Sequence, residues 1–300
     1  PESCTVLPNL LGTASGMWFE KDGRVFASLP GVPYEMQAIM HGSVLPRLQG
    51  MFRPPAIVHR TIRTTGMGET PLAERLSDWE SGLEGEGIRL AYLPSPGQVR
   101  LRLSSYAGKD AAFTRNRVDR QVEALYRLIP ELIFGEGRTE LEEVVGGLLR
   151  ESGQTLSLAE SCTGGFLSHL ITSVPGSSAY YIGGVVSYAN AVKMAELGIP
   201  RDMLELNGVV SGPVAEQMAM GVRTALKSDW AVSTTGIAGP DGGTPDKPVG
   251  TVWIAVAGPD GVVSERGVFM GTRDLVISRA ATAALNMLRK QLISAPRTKG

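Results

Sequence analysis

Residues 160–165 form a small, polar turn that ends in two glycines, and they carry the side chains best suited to chemistry in this sequence. The preceding residues, 156–159, are mostly apolar and predict a buried strand, whereas the apolar residues within 166–171 recur at helical spacing. The turn is therefore expected at a strand-to-helix junction, where the first N–H groups of the helix have no internal partner. Ser161 would stand there beside a ready-made anion or oxyanion site.

A serine hydroxyl is a weak nucleophile until a neighbouring base takes its proton. The three histidines are far apart in sequence, lack the paired spacing of a zinc site, and lie outside the polar segments that follow the predicted strands. Lys193, in the first turns of a predicted helix, can serve as the base if burial favours its neutral amine. Cys162 offers a second chemistry, that of a cysteine hydrolase.

Each of these residues also has a purely structural explanation. Ser161 or Thr163 could simply cap the helix. Lys193 could be a solvated lysine on a helix surface, and Cys162 a small packing residue. Glu160 could orient a ligand or satisfy the hydrogen bonds of the turn. The turn by itself leaves these alternatives open.

Other polar residues lie where neighbouring predicted strands end. Tyr188 is near the tip of the next strand, and Thr235, Gly236 and Gly239 belong to a long glycine-rich loop after a third strand. Backbone N–H groups of such a loop are free to surround a ligand. Arg273 opens the last helix and offers a planar fork suited to phosphate. Because ligands bind at strand ends along one edge of an α/β sheet, we expect these residues around one site.

The order of elements predicts three regions. Residues 1–53 have the strand, Gly/Pro turn and helix of an α/β layer, and because residue 1 is not Met we expect the chain to begin inside a domain. A stiff break at 53–55 separates them from a small α+β region, 54–137, which closes with a glycine-containing linker at 134–137. From 138 to 300, helices alternate with apolar strands, which predicts a layered α/β fold with a largely buried sheet.

The individual elements follow from periodicity and turn residues. In the first two regions we predict strands at 25–29, 57–64, 88–93 and 99–104 and helices at 35–48, 72–79 and about 110–128. In the last region we predict helices at 141–149, 166–173, about 191–197, about 213–227 and 273–292, and strands at 156–159, 182–188, 230–234, 251–256 and 261–269.

Composition limits the class of protein. The 300 residues are 43% hydrophobic and 20% charged, which is typical of a globular chain with two or three domains. A net charge of −1 gives no footprint for nucleic acid or an anionic membrane, and no run approaches the length of a membrane span. Two cysteines cannot form a disulfide framework, so we expect a soluble protein in the reducing cytoplasm.

Six ordered motifs together resemble the C-terminal domain of the CinA family. They lie at 159–165, 175–178, 188–193, 208–211, 235–243 and 247–252. Residues 1–53 resemble the last part of the molybdopterin-binding-like domain of that family, and 54–137 resemble its KH-type domain. The front of the first domain is absent, including segments that the family's ADP-ribose pyrophosphatase activity needs, so we do not expect that activity.

The resemblance implies hydrolysis of the carboxamide of nicotinamide mononucleotide to nicotinate mononucleotide and ammonia, in pyridine nucleotide salvage. It implies that Ser161 is the nucleophile, Lys193 the general base, Tyr188 and Thr235 supporting residues, and Arg273 a neighbour of the substrate phosphate. Residues expected to hold the oxyanion or the substrate are Glu160, Cys162, Thr163, Gly164, Gly165, Gly236 and Gly239. We expect no metal or cofactor, a homodimer as in full-length relatives, and a small-molecule nucleotide as the partner, without nucleic acid or membrane. The alternatives are nucleotide binding without turnover and residual pyrophosphatase activity.

Overall fold

A computed structural model describes residues 3–52, 57–106 and 111–295 of the chain. The chain divides into two compact units, one of residues 1–57 with 106–111 and one of residues 58–105 with 112–300. The predicted break at 53–55 and the predicted helix start at residue 110 lie outside the described residues.

The first unit contains a three-stranded antiparallel sheet followed by helix. Its elements are β1 (Thr5–Leu7), β2 (Gly16–Lys21), β3 (Arg24–Ser28), α1 (Pro33–Ile39), a π-helical segment (Met40–Val44) and α2 (Leu45–Phe52). The strands are ordered β1-β2-β3 around a small core that contains Leu7, Trp18 and Ile39. Sequence patterns predicted only β3 of these strands, because a three-residue strand is too short to show alternation and β2 begins at a glycine.

The second unit opens with a four-stranded antiparallel sheet and two helices, here called the four-stranded region. Its elements are β4 (Ile57–Thr65), α3 (Glu69–Leu83), β5 (Ile88–Ser95), β6 (Gln98–Tyr106), α4 (Ala111–Leu128) and β7 (Ile133–Glu136), with a 3₁₀ turn at Glu84–Glu86. The strand order is β5-β6-β4-β7, and apolar side chains of both helices share one core with the sheet, among them Leu72, Leu101 and Val122.

The prediction of a linker at 134–137 was wrong. Residues 133–136 form β7, which pairs antiparallel with β4, and both Ile133 and Phe134 are buried. The guanidinium of Arg63 on β4 stacks over the Phe134 ring at 5.6 Å from its centroid. A four-residue strand that contains a glycine carries a turn-like signal, and only its pairing partner makes it a strand.

The rest of the unit, here called the five-stranded region, is a layered α/β fold, as predicted. Its elements are α5 (Leu141–Ser152), β8 (Leu156–Glu160), α6 (Phe166–Ser173), a 3₁₀ turn (Ser177–Ala179), β9 (Tyr181–Val186), α7 (Asn190–Leu197), α8 (Arg201–Asn207), α9 (Gly212–Leu226), β10 (Trp230–Gly236), β11 (Thr251–Gly258), β12 (Gly261–Val268) and α10 (Arg273–Ser294). Sequence patterns missed α8, which at seven residues is too short for a clear helical period.

The sheet has the order β12-β11-β10-β8-β9 and is covered by helices on both faces. Strands β8, β9 and β10 run parallel, whereas β11 and β12 are antiparallel additions. Apolar residues of α5, α6 and α10 form a core with one face, and those of α7, α8 and α9 form a core with the other. All five residues of β8 are buried, as expected for a central strand with helices on both sides.

Candidate active site

The carboxyl ends of the three parallel strands meet at one edge of the sheet. In the registers of the two parallel pairs, Glu160 of β8 lies opposite Val186 of β9 and Thr234 of β10. The residues that follow each strand therefore come together, and they include Ser161 after β8. The Ser161 N–H donates to the Thr234 carbonyl at 2.9 Å, which continues the sheet pairing by one residue and fixes the start of the turn.

Ser161 and Lys193 face each other at this edge. The Lys193 Nζ lies 3.0 Å from the Ser161 Oγ, and it also donates to the carbonyl oxygen of Ser187, the residue that follows β9 by one position. Both side chains are buried, and Lys193 has no exposed surface at all. The alternative of a solvated helix lysine is therefore wrong.

The environment of Lys193 favours a neutral amine. Burial lowers the pKa of Lys193 from its ordinary value, because desolvation penalises the charged form, while the nearby Cys162 raises it to a lesser extent. Among the described residues no carboxylate forms an ion pair with Lys193. A lysine in this state can accept a proton from a hydroxyl within hydrogen-bond distance.

Cys162 lies next to Ser161 but is a poor nucleophile in this setting. Its side chain is buried, and burial raises the pKa of the thiol to about 12. The thiol therefore stays protonated near neutral pH, and the thiolate that a cysteine hydrolase needs is scarce. Of the two adjacent side chains, Ser161 has the better-placed base.

The cap of helix α6 comes from Glu160 rather than from Ser161 or Thr163. The Glu160 carboxylate accepts the N–H groups of Gly165, Leu167 and Ser168 at 2.7–3.0 Å, together with the Ser168 hydroxyl. The proposed capping by Ser161 or Thr163 is thus wrong, because the carboxylate already satisfies these N–H groups. Sequence reasoning had placed Glu160 against the oxyanion or the substrate. In the structure, both oxygens of its carboxylate accept hydrogen bonds from the turn and from α6.

This arrangement decides which N–H groups remain for an oxyanion. Gly165 donates to Glu160, and the Gly164 N–H donates to the Ser161 carbonyl at 3.2 Å. Within the described ranges, the N–H groups of Cys162 and Thr163 have no acceptor. Both glycines have positive φ, of 60° and 96°, and so allow the tight turn that presents these two N–H groups.

A third free donor comes from β10. The Ile237 N–H donates to the Thr251 carbonyl of β11, so the Gly236 N–H points to the opposite side of the strand, toward Ser161. In the part of the chain that the structure describes, Gly236 N–H has no acceptor either. Donors without an acceptor are thus found after β8, in the turn that carries Ser161, and at the end of the neighbouring strand β10.

The two predicted threonines have internal hydrogen bonds. The Thr163 Oγ1 lies 2.6 Å from the Thr234 Oγ1, which ties the turn to β10. The Thr235 Oγ1 donates to the carbonyl of Val209 at 2.9 Å, which ties β10 to the segment between α8 and α9. Both hydroxyls therefore hold the walls of the site together.

Arg273 and Tyr188 form the outer rim. The Arg273 Nη2 donates to the Tyr188 hydroxyl at 2.8 Å, and its Nη1 donates to the carbonyl of Gly239 at 2.7 Å. Tyr188 is 62% exposed, and Arg273 is the first residue of the 22-residue helix α10. Neither side chain has an ion-pair partner among the described residues, so the rim presents an unpaired positive charge to solvent.

These side chains line a cavity of about 210 Å³. Its lining residues are Ser161, Cys162, Tyr188, Lys193, Val209, Val210, Thr235, Gly236, Ala238 and Arg273. The cavity thus brings together seven predicted residues, whereas the predicted residues Glu160, Thr163, Gly164, Gly165 and Gly239 are outside its lining.

Sequence reasoning did not assign Val209, Val210 or Ala238 to the site. Val209 and Val210 lie between a glycine and a serine at 208–211, one of the six motifs. Two apolar side chains do not by themselves indicate a catalytic or binding role. In the described part of the chain, no group of three or more His, Cys, Asp or Glu side chains is arranged to hold a metal ion. None of the described helices combines the length and apolar character that a membrane span requires.

Comparison with known proteins agrees with the motifs. The family model of the CinA C-terminal domain matches residues 138–292, and that of the damage-inducible protein CinA KH domain matches residues 59–135. The chain is 48% identical to a CinA-like protein of Flavobacterium psychrophilum over 98% of this chain and 70% of that protein. It is 46% identical to a CinA-like protein of Salinibacter ruber over 97% of this chain and 70% of that protein.

Two solved structures resemble the chain over about half of its length. The competence/damage inducible protein CihA from Agrobacterium tumefaciens is 35% identical, with a TM-score of 0.50 over 51% of this chain and 94% of that one. A CinA superfamily protein from Klebsiella pneumoniae is 30% identical, with a TM-score of 0.50 over 52% of this chain and 100% of that one. With two family models and close relatives in agreement, the chain belongs to the CinA family.

Proposed function

We propose that this chain hydrolyses the carboxamide of nicotinamide mononucleotide, giving nicotinate mononucleotide and ammonia. The observation that carries the proposal is the buried Ser161–Lys193 pair, with 3.0 Å between Oγ and Nζ, in a cavity at the ends of the parallel strands. A desolvated lysine beside a serine can act as the general base that activates the serine hydroxyl as a nucleophile. The resemblance to the CinA C-terminal domain supplies the substrate.

In the first half of the reaction, the Ser161 Oγ attacks the carboxamide carbon while its proton passes to the Lys193 Nζ. The carbonyl oxygen becomes an oxyanion, for which the free N–H groups of Cys162 and Gly236, two residues that line the cavity, are candidate donors. A donor of this kind is worth about 3 kcal/mol of transition-state stabilisation. Lys193 then gives the proton to the amide nitrogen, which leaves as ammonia, and an acyl ester remains on Ser161.

In the second half, water hydrolyses the ester. Lys193, now neutral again, takes a proton from the water as its oxygen attacks the ester carbon. The same N–H groups hold the second oxyanion, and Ser161 leaves with the proton from Lys193. The product is released as a carboxylic acid that gives its proton to ammonia or solvent, so nicotinate mononucleotide and the free enzyme result and atoms and charge balance over the cycle.

The size of the cavity supports binding of only the reacting end of the substrate. About 210 Å³ is smaller than the roughly 300–1,000 Å³ of pockets that enclose a drug-sized ligand. The carboxamide and its ring would enter toward Ser161, and the ribose phosphate would extend over the rim toward Arg273. The guanidinium fork at the start of helix α10 suits a phosphate at that position.

The test is an ammonia-release assay on nicotinamide mononucleotide, its riboside and free nicotinamide. We expect turnover of the mononucleotide, and we expect Ser161→Ala to lower it by about 10³-fold or more, because the change removes the hydroxyl that forms the ester. Cys162→Ala is the matched control at the neighbouring position and should keep activity within about threefold. Circular dichroism of both variants checks that they fold.

Three outcomes would contradict the proposal. Full activity of Ser161→Ala would exclude Ser161 as the nucleophile, and loss of activity in Cys162→Ala alone would indicate a cysteine mechanism. Calorimetric binding of the mononucleotide to the wild-type chain without ammonia release would indicate a nucleotide-binding protein instead.

A further inference from the structure

A second and larger cavity lies between the four-stranded and five-stranded regions. Its volume is about 500 Å³, and none of its lining residues lines the Ser161 cavity. Small-molecule sites occur preferentially at such domain junctions, and their volumes are about 300–1,000 Å³. The cavity therefore has the position and size of a binding site distinct from the candidate active site.

Hydrogen bonds on both sides hold the junction in place. Arg289 of α10, 5% exposed, donates from Nη1 to the Ile133 carbonyl and from Nη2 to the Glu131 carbonyl, each at 3.0 Å. Elsewhere on the same helix, the Thr282 hydroxyl lies 3.0 Å from the Ser278 carbonyl of α10 and 3.4 Å from the Pro96 carbonyl, and a Cβ at Gly97 would stand 2.9 Å from the Thr282 side chain. The cavity thus lies between two regions that hydrogen bonds and close packing hold together.

One face of helix α10 supplies much of the wall. Arg279, Ala283, Asn286, Met287 and Lys290 all line the cavity, and their spacing of three to four residues places them on one side of the helix. Across from them, the apolar part of the lining includes Met67 and Phe269. The same helix begins at Arg273, on the rim of the other cavity.

Asn286 carries a side-chain donor that the protein does not use. The side chain is 6% exposed, and its Oδ1 accepts a hydrogen bond from the Arg289 Nε at 3.1 Å. This bond fixes the orientation of the amide, so that Nδ2 is the remaining group, and it has no acceptor within the described ranges. The Nδ2 is not completely buried, so it can donate to water or to a bound molecule in the cavity that Asn286 lines.

The charges of the cavity favour an anion. Its lining includes the cationic residues Arg266, Arg279 and Lys290 against the acidic residues Glu69 and Glu265. Arg266 and Arg279 each donate to a backbone carbonyl, and none of the three cations forms an ion pair with any residue that the structure describes. Positive charge without a carboxylate partner is suited to bind a phosphate or carboxylate from outside.

We propose that this cavity is a second ligand site, for a small organic anion that joins a phosphate to an aromatic ring. Lys290 would hold the phosphate, the Asn286 Nδ2 would donate to a polar atom of the ligand, and Phe269 with the methionines would pack against the ring. The proposal does not depend on the amidase function, because it concerns residues that the Ser161 cavity does not share.

Adenosine monophosphate is the probe, measured by titration calorimetry on the full chain in an Arg273→Ala background. That background removes the cation at the rim of the other cavity, so remaining heat reports the second site. We expect adenosine monophosphate to bind about tenfold or more tightly than either adenosine or inorganic phosphate, since each of these lacks one half of the contacts. Equal affinity for phosphate alone, or no binding of the nucleotide, would overturn the proposal.

Lys290→Glu, made in the same Arg273→Ala background, tests whether adenosine monophosphate binds in this cavity. Lys290 is exposed, so the change leaves the fold intact, and we expect the affinity for adenosine monophosphate to fall about tenfold through the lost charge-assisted contact. Lys227→Glu makes the same charge change at an exposed position outside the cavity and should alter the affinity less than twofold. Ala283→Trp, which fills the cavity, should abolish binding.

Circular dichroism checks that each variant is folded. Equal weakening by Lys227→Glu and Lys290→Glu would show general charge screening and contradict the site. Unchanged binding in folded Ala283→Trp would place the nucleotide elsewhere and contradict it as well.

Discussion

Lys193 at the strand ends and Arg289 at the junction of the two regions are both almost completely buried basic side chains. Burial lowers the pKa of each. Arg289 donates from Nε, Nη1 and Nη2 to three oxygen acceptors of the protein. Lys193 contacts one carbonyl oxygen and the hydroxyl of Ser161.

The difference shows two uses of a buried cation. A guanidinium stays protonated in proteins, so its buried charge must be matched by acceptors, and at Arg289 those acceptors connect α10 to the strand β7. A lysine can meet the same burial by losing its proton, which leaves a lone pair beside Ser161. Burial at one position therefore stabilises a domain junction and at the other supports a candidate base.

The largest effect is expected from Lys193→Met. The change roughly keeps the volume of the side chain but removes the amine, so we expect ammonia release from nicotinamide mononucleotide to fall by about 10²–10⁴-fold, the usual contribution of general acid–base catalysis. Stability should be kept or raised, because a desolvated amine without an ion-pair partner is replaced by an apolar chain, which offsets the loss of its hydrogen bond to the Ser187 carbonyl. The assay and a urea denaturation on one preparation check both, and more than a tenth of wild-type activity would contradict the role.

Arg289→Met should give the opposite pattern. It leaves the Ile133 and Glu131 carbonyls without their donors, and we expect a loss of about 2–4 kcal/mol in the free energy of unfolding. Turnover by the folded fraction should stay near that of the wild type. Arg289→Lys is the matched control, and with a point charge in place of the fork it should recover only part of the loss. Unchanged unfolding in urea would contradict the structural role.

The smallest expected effect is a pH dependence of the free energy of unfolding, which should come from Lys193 and not from Arg289. Its folded pKa is lowered below 10.5, so between the folded and unfolded values the unfolded chain binds more protons and stability rises with pH. Below the folded pKa, the native state carries the full free-energy cost of burying the charged amine. Above the unfolded pKa, this cost is absent. We therefore expect the stability of the wild type relative to Lys193→Met to increase as pH rises toward 10.5.

Activity should follow the same titration. Because the base must be neutral, kcat/KM should fall about tenfold per pH unit below the pKa of Lys193 in the free enzyme. Arg289→Met should leave this acidic limb unmoved. A profile of kcat/KM without an acidic limb, or one that moves in Arg289→Met, would show that Lys193 is not the titrating group.

Prediction from sequence worked best where the signal is local and repeated. Strand β8 and helix α6 agree with the predicted ranges because a buried apolar run and an amphipathic helix each carry a strong period. Strand β7 was mistaken for a linker and helix α8 was missed, because four and seven residues are too few to show a period. The pairing of β7 with β4 depends on residues about seventy positions earlier in the chain, and no local pattern contains it.

The sequence predicted most residues of the candidate site but not the role of each residue. The sequence located Ser161, Lys193 and Arg273 near the ends of one sheet through the order of strands and turns. It could not decide that Glu160 caps α6, since that depends on which N–H groups its carboxylate reaches after the turn has formed. It also did not single out Val209 and Val210, which line the cavity only because α8 and α9 bring them beside β10.

The sequence by itself determined the family, the layered α/β fold of the last region and the turn that carries the candidate nucleophile Ser161, because motifs, periods and glycine positions are properties of consecutive residues. Tertiary structure alone decided that Lys193 is buried against Ser161, that the Cys162 thiol is held protonated, and that a second cavity separates two regions joined by Arg289. Burial and hydrogen bonding depend on which distant segments of the chain meet in the fold. They in turn determine the charge state of a buried side chain, which the sequence alone does not give.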